Sequence, residues 1–399
     1  MRISERARRL QWSPIRKLIP YANRAKEEGV KVYHLNIGQP DIKTPPEVLL
    51  ALKEFKAEII SYGPSQGIRE LREAIAKYMG KYGYEVEPDE VVISNGGSEA
   101  LLFVFSIVAD DGDEIIVPEP FYTNYNGIAQ ILGINLVPVT TRAEEGFHLP
   151  PMEEFEKVFS ERTRAVLLCT PNNPTGTVLR EDEMRRVVDF VKEKGIFLIT
   201  DEVYREFTFD GRKHTGALKF KDAWDHIIVV DSVSKRFSLC GARIGNIISK
   251  NREIITEAIK FAQARLCPPT VEQHLALAAY NLPMEYFDTV REEYQRRRDV
   301  VWNALSGREG IVLEKPEGAF YTVVKLPVDD SEAFSKWLLT DYRNKGETLM
   351  VAPAPGFYAS PDKGKDEVRI AYVLETEKLE RAMEMLLDAL EKYPGAQCD

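Results

Sequence analysis

The chain has 399 residues, of which 44% are hydrophobic and 29% are charged, and its formal net charge is −10. This length allows one large hydrophobic core and a second, smaller domain. The acidic balance argues against non-specific nucleic-acid binding, which depends on clustered basic residues. No apolar stretch follows the basic N-terminus, and the longest apolar run, 101–109, is too short to span a bilayer. We therefore expect no secretory signal, no membrane span and no nucleic-acid partner.

The cysteines are few and far apart, and none forms a C-x-x-C pair; they are Cys169, Cys240, Cys267 and Cys398. This spacing argues against a metal site and against a disulfide scaffold. It fits a protein of the reducing cytoplasm, which is the location we expect.

Seven short β-rich runs alternate with helical patterns between about residues 90 and 250. Apolar strands separated by helix-length segments predict an α/β domain with a largely parallel sheet that is covered by helices on both faces. In such sheets, ligands bind outside the carboxyl ends of the strands, so polar residues directly after each run are the candidates for chemistry. The predicted strands are 90–94, 114–117, 135–140, 164–170, 195–200, 227–231 and 244–248.

The C-terminal part has a different pattern. A long amphipathic helix is predicted over 285–305, extended segments over 319–324 and 367–373, and a final helix over 375–390. The Pro-rich segment 351–356 is expected to be a loop. We predict an N-terminal segment 1–45 that packs with a small α+β domain 284–399, and a large domain 46–283 between them.

The first strand of the large domain is followed by a glycine-rich turn that contains Gly97 and Ser98. Glycines permit close backbone approach, and a helix N-terminus binds anions. An ordinary capped turn is the alternative interpretation. Tyr122 follows the second strand, where its ring can stack on a bound ring or simply pack within the loop.

The fourth strand leads into a rigid Pro-Asn-Asn-Pro-Thr-Gly turn that presents Asn173 as a polar donor, or that is only a turn. The fifth strand ends at Asp201, with Tyr204 three residues later. A carboxylate about 4 Å from a protonated pyridine nitrogen stabilises that proton by roughly 4 kcal/mol at an effective dielectric constant near 20. The alternative role for Asp201 is a helix N-cap.

The sixth strand is followed by Ser232, Ser234 and Lys235, and Arg243 comes eight residues after the lysine. The amine of Lys235 can form a Schiff base with an aldehyde, while the hydroxyls and the guanidinium hold a phosphate. Pyridoxal phosphate carries both groups on one ring. Alone, Lys235 has a common alternative, which is a solvated lysine after a strand.

Taken together, these segments resemble the class I/II aminotransferases, which are fold-type I pyridoxal-phosphate enzymes of the aspartate aminotransferase kind. The resemblance rests on the Asn-Pro-Thr-Gly segment 173–176, the Asp-Glu-Val-Tyr segment 201–204, and the Ser-Lys pair 234–235 with Arg243. It extends from the Asn-Ile-Gly-Gln-Pro-Asp segment 36–41 to the Arg-Ile-Ala-Tyr segment 369–372.

The resemblance implies a role for each matching residue. Lys235 is the Schiff-base lysine, Asp201 pairs with the pyridine nitrogen, and Asn173 and Tyr204 contact the phenolic oxygen. Gly38 and Arg369, together with Asn173, are implied to bind the substrate and its α-carboxylate. The implied phosphate and ring contacts are Gly97, Ser98, Ser232, Ser234, Arg243 and Tyr122, and Tyr62 of a neighbouring subunit in a homodimer.

The implied reaction is a two-step transamination in which Lys235 moves a proton from the substrate Cα. Aspartate is the favoured amino donor, and 2-oxoglutarate is the expected acceptor. Many similar enzymes bind the side-chain carboxylate of aspartate with a lysine. That lysine is missing here, because Ser98 stands at its position. Arg265 is a candidate replacement, contributed across the dimer, or else it forms a surface ion pair.

Two other functions share the cofactor residues named above. One is a carbon–sulfur β-lyase, and the other is an aminotransferase for aromatic or other amino acids. The aminotransferase-like domain of a transcription regulator is a third possibility from another class. About thirty residues precede the first family motif, which leaves little room for a DNA-binding domain.

Overall fold

The computed structural model describes residues 1–396, so that Cys398 lies outside the described residues. The strands in chain order are β1 (Lys31–His34), β2 (Val91–Ser94), β3 (Glu114–Glu119), β4 (Asn135–Thr140), β5 (Thr163–Cys169), β6 (Phe197–Asp201), β7 (Ile227–Ser232), β8 (Gly245–Ser249), β9 (Tyr321–Lys325), β10 (Glu347–Met350), β11 (Ala352–Pro353) and β12 (Glu367–Ala371). The helices are α1 (Glu5–Arg9), α2 (Ile19–Glu27), α3 (Pro46–Glu54), α4 (Arg69–Gly80), α5 (Gly97–Val108), α6 (Asn124–Leu132), α7 (Met152–Val158), α8 (Glu181–Lys194), α9 (Arg252–Arg265), α10 (Thr270–Tyr280), α11 (Glu285–Leu305), α12 (Ser331–Thr340) and α13 (Thr376–Lys392).

Strands β2 to β8 form one seven-stranded sheet in the order β2-β8-β7-β6-β5-β3-β4. All neighbouring pairs are parallel except those made by β8, which runs antiparallel to β2 and β7. The α/β fold with a mainly parallel, seven-stranded sheet is therefore confirmed. Each strand observed in this sheet overlaps one of the seven predicted runs.

Alternate residues of the sheet face two separate hydrophobic cores, as the pleat of a strand requires. Val91 and Ile93 pack with helices α4, α8 and α10, whereas Val92 packs with α5, α6 and α9. Burial on both faces explains why these strands are continuously apolar. No helix among residues 1–396 is both long enough and apolar enough to cross a bilayer.

The C-terminal part contains a separate three-stranded antiparallel sheet in the order β11-β12-β9, and β1 pairs with β10 in parallel. The pairing of β1 with β10 joins the N-terminal segment to this part of the chain. The boundaries after residues 45 and 283 stay predictions. Within the predicted loop 351–356, Ala352 and Pro353 form strand β11, which pairs with Arg369 and Val368. This strand tolerates a proline because it lies at the sheet edge.

The arrangement positions the site because β5, β6 and β7 are parallel neighbours whose carboxyl ends meet at one edge of the large sheet. Asn173, Asp201 and Lys235 follow these ends, as expected for ligand-binding residues in such sheets. Strands β9 and β12 of the smaller sheet bring Tyr321 and Arg369 to the same place.

Candidate active site

A cavity of about 430 Å³ opens at this edge, between the large sheet and the smaller one. The structure brings together every candidate residue from the sequence except Tyr62 and Arg265. The candidates that line the cavity are Gly38, Gly97, Ser98, Tyr122, Asn173, Asp201, Tyr204, Ser232, Ser234, Lys235, Arg243 and Arg369.

Lys235 is half-buried in the turn after β7, and among the described residues no other lysine lines the cavity. Its Nζ donates a hydrogen bond to the carbonyl oxygen of Gly38 at 2.9 Å. A Cβ atom on Gly38 would overlap the Tyr321 hydroxyl, so only glycine fits this position. The backbone of residue 38 thereby orients the amine.

The anion side of the cavity is formed by the start of α5 and by the turn that contains the two serines. Gly96 precedes α5 with φ of +77°, and a Cβ atom there would overlap the guanidinium of Arg243. The Oγ atoms of Ser232 and Ser234 lie 2.8 Å apart. Among the described residues, no carboxylate lies within 4 Å of Arg243. The Arg243 guanidinium donates to the Cys240 carbonyl at 2.9 Å. Together with the helix N–H groups and the hydroxyls, it forms a site for a phosphate.

Asp201 is the last residue of β6, and its side chain is only 7% exposed. Its Oδ2 accepts a hydrogen bond from the Tyr125 hydroxyl at 2.8 Å, and its Oδ1 accepts one from the Val203 N–H at 3.3 Å. Burial raises the pKa of this carboxyl to about 6, against these hydrogen bonds. Within residues 1–396, no basic group lies within 4 Å of it. The Asp201 carboxylate therefore has no cationic partner of its own, and a protonated ring nitrogen of a ligand would provide one.

Tyr125 is a site residue that was not predicted from the sequence. It lies three residues after Tyr122, about one helical turn away, and the two rings meet edge to face with centroids 5.5 Å apart. An aromatic residue one turn after a candidate ring-stacking residue is a signal that would have identified it.

Phenols and amides form a continuous chain across the cavity. The Asn173 amide donates to the Tyr204 hydroxyl at 3.5 Å, and the Tyr204 hydroxyl donates to the Tyr321 hydroxyl at 3.0 Å. Burial raises the pKa of Tyr204 well above that of a free phenol, so its hydroxyl stays protonated and able to donate. Tyr321, the first residue of β9, was also missed, because nothing in its local sequence sets it apart from a core strand residue.

Arg369 is 1% exposed and extends from β12 into the cavity. Its Nη1 donates to the Asn173 Oδ1 at 3.0 Å and its Nη2 donates to the Asn36 carbonyl at 2.6 Å, while its Nε has no partner within residues 1–396. The rings of Tyr321 and Phe357 lie 4.6 and 4.9 Å from the guanidinium carbon. Burial lowers the pKa of this guanidinium, and no described carboxylate lies within 4 Å to balance its charge. A substrate carboxylate would supply that balance.

A buried ion cluster supports the loop that carries Lys235. Asp231 accepts hydrogen bonds from the Ser232 N–H at 2.7 Å and from Arg205 at 3.0 Å, and it also pairs with Arg236. Arg236, the residue after Lys235, is fully buried and is also 2.9 Å from Glu206. Breaking such a buried pair leaves an uncompensated charge, so the cluster fixes the turn firmly.

Tyr62 and Arg265 lie together elsewhere, at a second and more open cavity that also contains Asn95. The Tyr62 side chain is 81% exposed. Arg265 donates to the carbonyl oxygens of Ser65 and Ile93 at 3.3 and 3.2 Å, and it lies 3.7 Å from Glu99. Neither residue lines the Lys235 cavity of its own chain.

The residues that line the Lys235 cavity fit pyridoxal phosphate on three independent observations. They provide a primary amine at Lys235 and a buried carboxylate at Asp201 that has no basic partner among the described residues. They also provide the Arg243 guanidinium, which no described carboxylate approaches within 4 Å. An aldehyde, a basic ring nitrogen and a phosphate on one molecule match these groups.

Comparisons with known proteins agree with this geometry. The family model described as aminotransferase class I and II matches residues 30–386. The chain is 33% identical to an aspartate aminotransferase of Pyrococcus abyssi over 97% of both chains, and 30% identical to aromatic-amino-acid aminotransferase 2 of Thermococcus litoralis over 98% of this chain and 99% of that protein. The structure of an alanine aminotransferase from Pyrococcus furiosus superimposes with a TM-score of 0.89 at 29% identity, covering 98% of this chain and 100% of that one.

Proposed function

The chain belongs to the class I and II aminotransferase family, and we propose that it moves the amino group of aspartate to 2-oxoglutarate. Its activity as an aminotransferase and its dependence on pyridoxal 5′-phosphate follow from the family match over nearly the whole chain. The observation that carries the proposal of an amino-acid substrate is Arg369, a buried guanidinium that has no carboxylate partner within residues 1–396 and that shares the cavity with Lys235. Relatives named as aspartate aminotransferases, including that of Pyrococcus abyssi, support the choice of donor.

The bound cofactor supplies an aldehyde carbon that receives the amino group and a ring that accepts electrons from the substrate Cα. Arg243, the two serines 232 and 234, and the first turn of α5 hold the phosphate. Asp201 holds the proton at the ring nitrogen, while Asn173 and Tyr204 donate to the phenolic oxygen. Tyr122 covers one face of the ring.

Arg369 orients the amino acid through its α-carboxylate, and this places the Cα proton next to Lys235. The amine of Lys235 would then remove that proton as a base and would deliver a proton as an acid in the second half of the transfer. The carbonyl of Gly38, which accepts from Lys235 at 2.9 Å, and the Tyr321 hydroxyl beside it keep the amine on the substrate side of the cavity.

The active form is proposed to be a homodimer in the cytoplasm. Tyr62 is exposed and lines one cavity with Arg265 and the exposed Ile60, and its proposed contact is the partner's cofactor phosphate. The three described cysteines are free, which fits a reducing compartment. The exposed apolar residues near this cavity in sequence are Leu49, Leu50, Leu52, Ile59, Ile60 and Leu266.

The proposal is tested by the absorbance spectrum of the cofactor-loaded protein before and after addition of aspartate alone. Conversion to the pyridoxamine form, reversed by 2-oxoglutarate, is the expected result. An unchanged spectrum with aspartate, together with conversion by phenylalanine or alanine, would replace the donor. Release of pyruvate and ammonia from cystathionine, with no need for an acceptor, would replace transamination by β-elimination.

A further inference from the structure

The N-terminal segment 11–18 lies along the mouth of the Lys235 cavity. At one end, the Gln11 N–H donates to the side chain of Gln130 on α6 at 3.3 Å. At the other end, Lys17 forms an ion pair with Glu332 on α12. A Cβ atom on Gly356 would overlap the ring of Pro14, so the segment is closely packed between these ends.

Asn36 connects this segment to Arg369. The side chain of Asn36 donates to the carbonyl of Ile15 at 3.4 Å, while its own carbonyl accepts from Arg369 at 2.6 Å. Asn36 is completely buried, so its two contacts are protected from water. The position of the segment is thereby coupled to the residue proposed to bind the α-carboxylate.

Arg16 is the charged residue that this segment contributes to the cavity lining. Its side chain is exposed to the cavity mouth, and within residues 1–396 no carboxylate lies within 4 Å of it. The neighbouring Lys17 is paired with Glu332, which leaves Arg16 as the uncompensated charge of the segment. An arginine of this kind binds a carboxylate through its planar fork.

The charges of the cavity lining also indicate that Arg16 is available to bind an anion. Four basic side chains line it, and of the two acidic ones Asp231 is already paired with Arg205 and Arg236. Asp201 is assigned to the ring nitrogen, Lys235 to the aldehyde, Arg243 to the phosphate and Arg369 to the α-carboxylate. Among the described basic groups of the lining, Arg16 is the one without an assigned partner.

We infer that Arg16 binds the distal carboxylate of dicarboxylic substrates and thereby selects them. This inference rests on the proposed function, because it takes the α-carboxylate to lie at Arg369. Arg16 would then bind the side-chain carboxylate that Ser98, which has no charge, does not bind. Arg265 is the competing candidate, but in its own chain it is bonded to the backbone at Ser65 and Ile93, away from this cavity.

The test compares Arg16→Gln with the wild type on aspartate and on alanine, which has no distal carboxylate. A hydrogen bond to a charged group contributes roughly 1.5–3 kcal/mol, so kcat/KM for aspartate is expected to fall about 10- to 150-fold. The fall for alanine is expected to be at least tenfold smaller. Arg16→Lys should recover part of the loss. Arg24→Gln, an exposed arginine of α2 paired with Glu28, is the matched control and should leave both values unchanged.

A binding measurement provides a readout besides turnover. Calorimetry on the cofactor-loaded protein compares succinate, which has two carboxylates, with propionate, which has one. Arg16→Gln is expected to weaken succinate binding about tenfold or more and to bring it close to that of propionate.

Equal losses on both donors, or unchanged succinate binding, would overturn the role of Arg16. A selective loss of aspartate activity in Arg265→Gln, with Arg16→Gln unaffected, would transfer the role to Arg265. Failure of the proposed function is a separate result, because wild-type protein would then transfer no amino group from aspartate. The succinate and propionate affinities would still decide what Arg16 binds.

Discussion

The cofactor side and the substrate side of the cavity are constructed in different ways. The cofactor side comes from residues that directly follow strands of one sheet, between Gly97 and Arg243. The substrate side comes from the N-terminal segment with Arg16, the turn at Gly38, and strands β9 and β12 with Tyr321 and Arg369. The first side needs only a correctly formed sheet, whereas the second needs the small sheet and the N-terminal segment to pack against it.

This difference explains how much could be predicted from the sequence. The fold and the cofactor-side residues follow short local motifs, because parallel strands place their carboxyl ends together. Arg369 was predicted only through a family resemblance, and Tyr321 and Arg16 were not predicted at all. Their place in the cavity depends on contacts across more than a hundred residues, such as that between Arg369 and Asn36. Contacts between residues so far apart in the chain leave no motif in the local sequence from which they could be predicted.

The ion cluster behind the site was missed for a related reason. Arg236 follows Lys235 directly, and an arginine at this position is expected to be solvated. Its burial depends on Asp231 and Glu206, which come from two different strand ends. A charged residue becomes a core residue only when its partners are brought to it by the fold.

The largest expected effect on the cofactor side is that of Lys235→Ala. No other described lysine lines the cavity, so nothing replaces the amine that moves the Cα proton. The transamination rate is expected to fall by up to about 10⁴-fold. Rapid mixing of the loaded variant with aspartate measures this rate, and added ethylamine should restore part of it. A rate within tenfold of the wild type would contradict the role of Lys235.

Asp201→Asn changes the same side while preserving shape. The amide has no negative charge, so it does not stabilise a proton on the ring nitrogen, and a fall of about 10² to 10³ in kcat is expected. The single-turnover rate with aspartate is the measurement. Retention of the cofactor phosphate by the variant, measured by equilibrium dialysis with inorganic phosphate as competitor, is the control that separates catalysis from binding. Wild-type turnover with an intact phosphate site would remove Asp201 from the mechanism.

Arg369→Lys tests the substrate side. Lysine keeps the charge but not the planar fork, and it loses the contacts with Asn173 and Asn36. We expect kcat/KM to fall about 30- to 100-fold for aspartate and alanine alike, since both carry an α-carboxylate. Arg308→Lys is the matched control, because Arg308 is exposed and, among the described residues, donates only to the carbonyl of Ala304. A fall in kcat/KM that is restricted to aspartate would show that Arg369 binds the distal carboxylate instead.

Tyr125→Phe is expected to have the smallest effect, and it tests how a neighbouring hydroxyl changes the pKa of Asp201 on the cofactor side. The Tyr125 hydroxyl donates to Asp201 and stabilises its charged form, so that its removal should raise the pKa of this carboxyl above about 6. Binding a cationic ring nitrogen requires the ionised carboxylate. Cofactor affinity is therefore expected to be full above this pKa and to fall up to tenfold for each pH unit below it.

The affinity is measured by fluorescence titration of the cofactor-free protein between pH 5 and 8. In the wild type the decline should begin near the Asp201 pKa of about 6, and in Tyr125→Phe roughly one unit higher. The variant should bind about five- to tenfold more weakly at pH 6 and nearly as well as the wild type at pH 8. A loss that is equal at every pH would mean that Tyr125 acts only through packing. A midpoint that moves shows that one hydroxyl, supplied by α6, sets the charge of the residue that ends β6.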